Sequence, residues 1–194
     1  MNGQRFFSSL EKNDSVRGDK HEGTDRIHQP SDIKNIRIID NDQGTEINIG
    51  PDQLAGPVLI SLGRQAYNLF CLHAITDHPE RGVPIIDERN LAFGDSFLVI
   101  LNTQEFVDRI EAAANVAGLN VNYGPVEYYD DGSYSGDTGV FRKPRAYSYQ
   151  REFRIVVFPG SASPIRLSVG SLEDITTPIY PLADINRLIE FPTI

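Results

Sequence analysis

Short apolar runs separated by turn-forming residues dominate the pattern along this chain. Residues 36–39 and 46–49 flank the segment Asn41-Asp42-Gln43-Gly44, which is typical of a β-hairpin turn. The further runs that predict strands are residues 58–62, 67–75, 97–101, 121–129, 153–158 and 165–169. The pattern therefore predicts a protein rich in short strands.

One segment has clear helical periodicity instead. Asn102 is placed to cap it, Glu105 completes a capping box, and apolar residues recur every three or four positions until Gly118. A second, short helix is predicted at residues 182–189. Together these elements predict an α+β fold with a mixed, mostly antiparallel sheet and few helices, formed by residues 1–194 as a single domain.

Composition limits the classes of function. Hydrophobic residues make up 40% of the 194 residues and charged residues 23%, as in ordinary globular proteins. The net charge of −9 makes non-specific nucleic-acid binding unfavourable. There is no leader-type segment and no apolar run of about 18 residues, so we expect a cytoplasmic protein that does not enter a membrane. Cys71, inside an apolar run, is expected to be a buried and inert thiol.

The most informative segment leads into the strand predicted at residues 153–158. Alternation along an extended chain would place Gln150, Glu152, Arg154 and Val156 on one face, each about 6.5–7 Å from the next. An amide, a carboxylate and a guanidinium in a row indicate a site at the edge of a core. The alternative is an ordinary Glu–Arg ion pair on a solvent-exposed strand.

Two weaker candidates lie elsewhere. His73 interrupts an apolar run, which indicates either a hydrogen-bonded core histidine or a ligand contact. Asp19, His21 and Glu22 lie close together in a polar segment and could hold a metal ion, or they could form a turn in which side chains satisfy the backbone. We assign no metal site from this pattern.

Motifs at both ends resemble those of a widespread group of uncharacterised bacterial proteins. That group begins with an aromatic-Ser strand and an Asp-Pro-x-Glu-Gly loop, which residues 5–11 and 18–23 resemble. It ends with Tyr-x-x-Glu-x-Glu-aromatic-Arg, which residues 147–154 resemble, and residues 168–175 are similar to its C-terminal segment.

The Gln150-Arg151-Glu152 motif also resembles the signature of ADP-ribosyltransferases. This resemblance implies an ADP-ribosyltransferase-like fold with Glu152 as the catalytic carboxylate and Gln150 orienting the acceptor. It further implies NAD as cofactor, held by Arg5, Ser8, His73 and Arg154. The chain starts almost inside the first motif, so we expect it to lack an N-terminal strand.

Three functional hypotheses follow. The first is an NAD-dependent ADP-ribosyltransferase-like effector, a toxin or phage-defence protein, which would have a protein partner or antitoxin. The second is a non-catalytic protein-interaction or sensor module on a degenerate version of the same fold. The third is a metal-dependent hydrolase that uses Asp19, His21 and Glu22.

Overall fold

Short strands around one long helix make up most of the regular structure. The computed structural model describes residues 2–3, 21, 23–63, 66–75, 85–161 and 163–189. The strands in these ranges are β1 (Asn2–Gly3), β2 (Arg26–His28), β3 (Ile36–Asp40), β4 (Thr45–Ile49), β5 (Val58–Ile60), β6 (Asn68–His73), β7 (Ser96–Phe97), β8 (Asn120–Pro125), β9 (Glu127–Tyr129), β10 (Gly136–Asp137), β11 (Arg142–Pro144), β12 (Glu152–Phe158) and β13 (Tyr180–Pro181). The α-helices are α1 (Thr103–Val116) and α2 (Ile185–Leu188). Tight 3-10 turns occupy Pro30–Asp32, Pro51–Gln53, Glu88–Phe93, Arg145–Gln150 and Leu182–Asp184.

The largest sheet among the described residues has the strand order β1-β6-β12-β8, with every neighbouring pair antiparallel. β12 is therefore an interior strand, flanked by β6 and β8. Glu152 is paired with His73, and Arg154 is paired with Cys71 on one side and Gly124 on the other. The strand that begins at Glu152 therefore lies inside the sheet and directly beside the strand that ends at His73.

Helix α1 covers one face of this sheet. Asn102 caps it by accepting a hydrogen bond from the Glu105 N–H at 3.1 Å, as the sequence predicts, whereas the Glu105 carboxylate accepts from Arg109 Nε at 2.7 Å and does not complete the expected capping box. Its apolar stripe packs Phe106 and Ile110 against Ile155 of β12 and Ile175. Phe153 and Leu72 lie against the same cluster. The odd-numbered residues of β12 thus face the core, and the even-numbered ones project to the opposite face.

Smaller sheets surround this core. In the described ranges, β3 pairs with β4, β13 pairs with β7, and β2 lies between β10 and β5. All of these pairs are antiparallel, whereas β9 and β11 pair in parallel. The structure confirms a mixed α+β architecture with mostly antiparallel sheets and few helices.

Three details differ from expectation. Residues 165–169 do not form a strand. Leu167 and Val169 pack against the α1 core instead, and this packing accounts for the apolar pattern that predicted a strand. The strand expected at 97–101 is limited to β7 and an isolated bridge between Ile100 and Thr176. The Cys71 side chain is exposed and not buried: it projects to the face opposite α1, in a part of β6 that has no second described strand beside it.

Candidate functional site

A sharp change of backbone direction separates Gln150 from Glu152. Gln150 ends the 3-10 turn Arg145–Gln150, and Arg151 adopts the left-handed conformation with φ 42° and ψ 50°. The strand β12 begins only at Glu152. The expectation that Gln150 continues the strand alternation is therefore wrong, since Arg151 breaks the extended chain. The side chain of Gln150 nevertheless contacts Lys143, which also contacts Glu152.

That cluster, called here the Glu152 cluster, consists of Lys143, Gln150, Glu152 and Arg154. The Lys143 ammonium donates to Glu152 Oε1 and to Gln150 Oε1, both at 2.6 Å. The Arg154 Nε donates to Glu152 Oε2 at 2.7 Å. The side chains of Lys143, Glu152 and Arg154 are only 5%, 11% and 2% exposed. The ion pair is therefore buried, not solvated as in the alternative considered from sequence.

Neighbouring groups fix the two cations in place. Lys143 Nζ lies 5.0 Å from the centre of the Tyr147 ring, within cation–π range. Arg154 also donates through a terminal nitrogen to the Val140 carbonyl. The backbone N–H of Glu152 donates to the Tyr128 hydroxyl at 2.9 Å. With the bonds from Lys143 and Arg154, each oxygen of the Glu152 carboxylate accepts a charge-assisted hydrogen bond from a buried cation.

The electrostatics favour an ionised carboxylate. Burial by itself raises the pKa of Glu152, but the charges of Arg154 and Lys143, with their hydrogen bonds, outweigh it and hold the pKa below its usual value. Burial, reinforced by the Glu152 charge, raises the pKa of Tyr128 to about 12, although the hydrogen bond from the Glu152 backbone opposes this shift. The Tyr128 hydroxyl is therefore protonated in the physiological range.

Lys143 and Tyr128 were not predicted as site residues. They are register partners in the parallel pair β9–β11, which brings two segments fifteen residues apart against the start of β12. Lys143 appears in the sequence only as one of several basic residues between positions 142 and 154. No local pattern distinguishes it from these neighbours, because its place in the site depends on its pairing with Tyr128.

His73 lies beside the cluster as the register partner of Glu152. Directly paired residues of antiparallel strands project to the same face, with Cβ atoms about 4.5–5.5 Å apart. Neither ring nitrogen has a hydrogen-bond partner of good geometry among the described residues. Burial lowers the pKa of His73, and the charge of Arg151 lowers it further, while the nearby backbone of Gln150 and Ile85 opposes the shift. The imidazole is therefore neutral near pH 7.

Other predicted residues lie elsewhere or outside the described ranges. Arg5 and Ser8, expected to hold NAD, lie outside the described residues, as do Asp19 and Glu22. His21 is buried and shares a hydrogen bond of 2.7 Å between its Nδ1 and the Tyr129 hydroxyl. The described part of the chain contains no group of three or more residues placed to bind a metal ion.

A cavity of about 370 Å³ opens near the far end of β12. Val156, Val140 and Phe158 contribute to its wall, together with Gly23, Thr24, Asp25, Ser61, Gly63, Tyr67 and Gly139. Glu152 is not among the lining residues. At ordinary strand rise, the backbone of Glu152 lies about 13 Å from that of Val156.

Comparison with protein-family models, with curated proteins and with solved structures finds no match to this chain. In the ranges that the structure describes, no helix has both the length and the hydrophobicity needed to span a bilayer.

Proposed function

We propose that this chain is a non-catalytic protein-interaction module in which Glu152 is a structural residue. The observation that carries this proposal is that the Glu152 carboxylate is buried and paired with two cations. It is 11% exposed, and Lys143 and Arg154 each donate to a different one of its oxygens at 2.6–2.7 Å. Such a side chain ties β12 to β11 and to the turn that carries Gln150.

The electrostatics support the same conclusion. A carboxylate that stabilises an oxocarbenium-like ribose must direct its negative charge at the developing cation and approach the sugar closely. At Glu152, two cations in direct contact offset part of that field. Glu152 does not line the cavity near the far end of β12, and no described contact leaves either of its carboxylate oxygens without a cation.

An ADP-ribosyltransferase-like activity is the second candidate. The specific observations in its favour are the lowered pKa of Glu152, the interior position of β12, and the neutral His73 on the paired strand. In this candidate Glu152 is the catalytic residue, Gln150 orients the acceptor, and Arg5, Ser8, His73 and Arg154 contact NAD. A toxin or phage-defence role with an antitoxin partner, and an ADP-ribosyltransferase-like fold, belong to this candidate.

Nicotinamide release separates the two candidates. Wild-type protein is incubated with NAD, free nicotinamide is measured by liquid chromatography, and melting is followed with and without NAD. We expect no nicotinamide above the protein-free blank and no thermal shift with NAD.

The matched variant pair is Glu152→Gln and Glu127→Gln. Glu127 is also ion-paired, with Arg142 Nε at 2.9 Å, but its side chain is 71% exposed. Nicotinamide release by the wild type and by Glu127→Gln, lost in Glu152→Gln without a change in melting temperature, would establish the transferase and reject the interaction module.

A further inference from the structure

The hairpin β3–β4 exposes several large apolar side chains. In the described part of the chain it forms a two-stranded sheet of its own, joined by a turn in which Asp40 Oδ1 accepts from the N–H groups of Asp42 and Gln43. The pairs Ile36–Ile49 and Ile38–Ile47 place four isoleucines on one side, called here the isoleucine face. Ile38 and Ile47 are 50% and 54% exposed.

The opposite side of the hairpin differs in chemistry. It carries the pairs Arg37–Asn48 and Ile39–Glu46, and the Arg37 guanidinium lies 3.9 Å from the Glu46 carboxylate. The isoleucine face therefore has no charge until Asp40 at the tip. Ile36 and Ile49 at the open end of the hairpin are partly buried, whereas the other eight residues of the two strands are exposed. Burial against the described part of the chain therefore explains only part of the apolar pattern.

A two-stranded hairpin is only marginally stable in water, and three strands are ordinarily needed for a stable sheet. Each edge of such a hairpin also presents alternate backbone N–H and C=O groups that a further strand can pair with. No described strand pairs with the outer edge of β3. The hairpin thus has both the backbone groups and the side-chain pattern for strand addition.

Charge and area indicate what the added strand is. The exposed isoleucine surface is on the order of 200–300 Å², whereas a stable dimer buries about 800 Å² on each partner. Two copies would also bring together chains that each carry a net charge of −9. Asp40 and Asp42 at the end of β3 instead favour a partner with a basic residue at that position.

We propose that the outer edge of β3 binds an extended segment of a partner protein, in which alternate apolar residues extend the isoleucine face and a basic residue meets Asp40. This proposal rests on the proposed interaction function and assigns its docking surface. The occupant is recognised by backbone pairing, by cross-strand contacts with Ile36 and Ile38, and by charge at the tip.

The test uses the full chain and a fluorescent eight-residue peptide that alternates isoleucine and threonine between terminal lysines. Anisotropy gives its affinity, and amide chemical shifts map its position. We expect shift changes concentrated in residues 36–40, and an affinity about tenfold lower for Ile38→Ser than for wild type. A peptide with terminal glutamates in place of the lysines should bind at least about tenfold more weakly.

Ile39→Ser is the matched control, because Ile39 has the same side chain, 49% exposed, on the opposite side of β3. It should retain wild-type affinity, and Ile36→Ser provides a second variant on the isoleucine face should Ile38→Ser fold poorly. Equal loss in Ile39→Ser, or no binding to the folded wild type, would overturn the docking surface. A dimer at micromolar concentration that Ile38→Ser dissociates would also overturn it, by identifying a second copy as the occupant.

Absence of peptide binding without nicotinamide release rejects this surface alone, whereas nicotinamide release rejects the interaction function itself.

Discussion

Replacement of Glu152 by glutamine should destabilise the fold strongly. The substitution keeps the size of the side chain but removes the charge that compensates Lys143 and Arg154, which donate at 2.6 and 2.7 Å. Loss of one partner of a buried ion pair costs about 3–5 kcal/mol, because the remaining charge stays in a poorly solvated site. For a protein of this length the melting temperature should fall by about 6–20 °C.

The assay is thermal and urea unfolding of wild type, Glu152→Gln and Glu127→Gln at neutral pH. Glu127→Gln disrupts an exposed ion pair and should cost about 0–1 kcal/mol. A double variant, Lys143→Met with Glu152→Gln, should regain part of the lost stability, since it also removes one uncompensated cation. Equal destabilisation by Glu152→Gln and Glu127→Gln would refute the structural role of the buried cluster.

Three further predictions concern stability. The folded pKa of His73 lies below its unfolded value of about 6.5, so the unfolded chain binds the proton first and stability should fall as pH drops from about 6.5 toward the folded pKa. His73→Gln should make the free energy of unfolding, measured with urea, less dependent on pH in this range. The same pH dependence as in wild type would contradict the lowered pKa of His73. Ile155→Ala should cost about 2–5 kcal/mol in urea unfolding, because Ile155 is at the centre of the α1 core, whereas Val116→Ala on the exposed end of α1 should cost under about 0.5 kcal/mol. Asn102→Ala should cost about 1 kcal/mol by the same assay through loss of the cap to α1, and Asn102→Asp, which keeps an acceptor oxygen, should retain most of it.

Local patterns were sufficient for several elements. The turn at residues 41–44 and the Asn102 cap depend on neighbours within four residues, and the structure places both as predicted. The alternation from Glu152 onward also succeeded, because one face of β12 is covered by α1 and the other carries the charges. These elements were predictable because their determinants lie close together in the sequence.

The remaining features depend on contacts between distant segments. Nothing local indicates that Lys143 pairs in register with Tyr128 and so reaches Glu152. The left-handed backbone at Arg151 is equally hidden, since arginine has no preference for that conformation. Cys71 lies in an apolar run, yet it is exposed, because its place in β6 is set by pairing with distant strands.

The charges of β12 have a consequence for how the strand finds its partners. Side chains alternate with a period of two, so a shift of one residue against β6 would turn Glu152 and Arg154 toward Phe106 and the apolar face of α1. Burial of separated charges in that core would cost several kcal/mol for each ion, far more than a lost contact between aliphatic side chains. The alternating charges of Glu152 and Arg154 thus exclude the slipped pairing during folding. Hydrophobic residues at these two positions, even if they preserved stability, would no longer select the correct register.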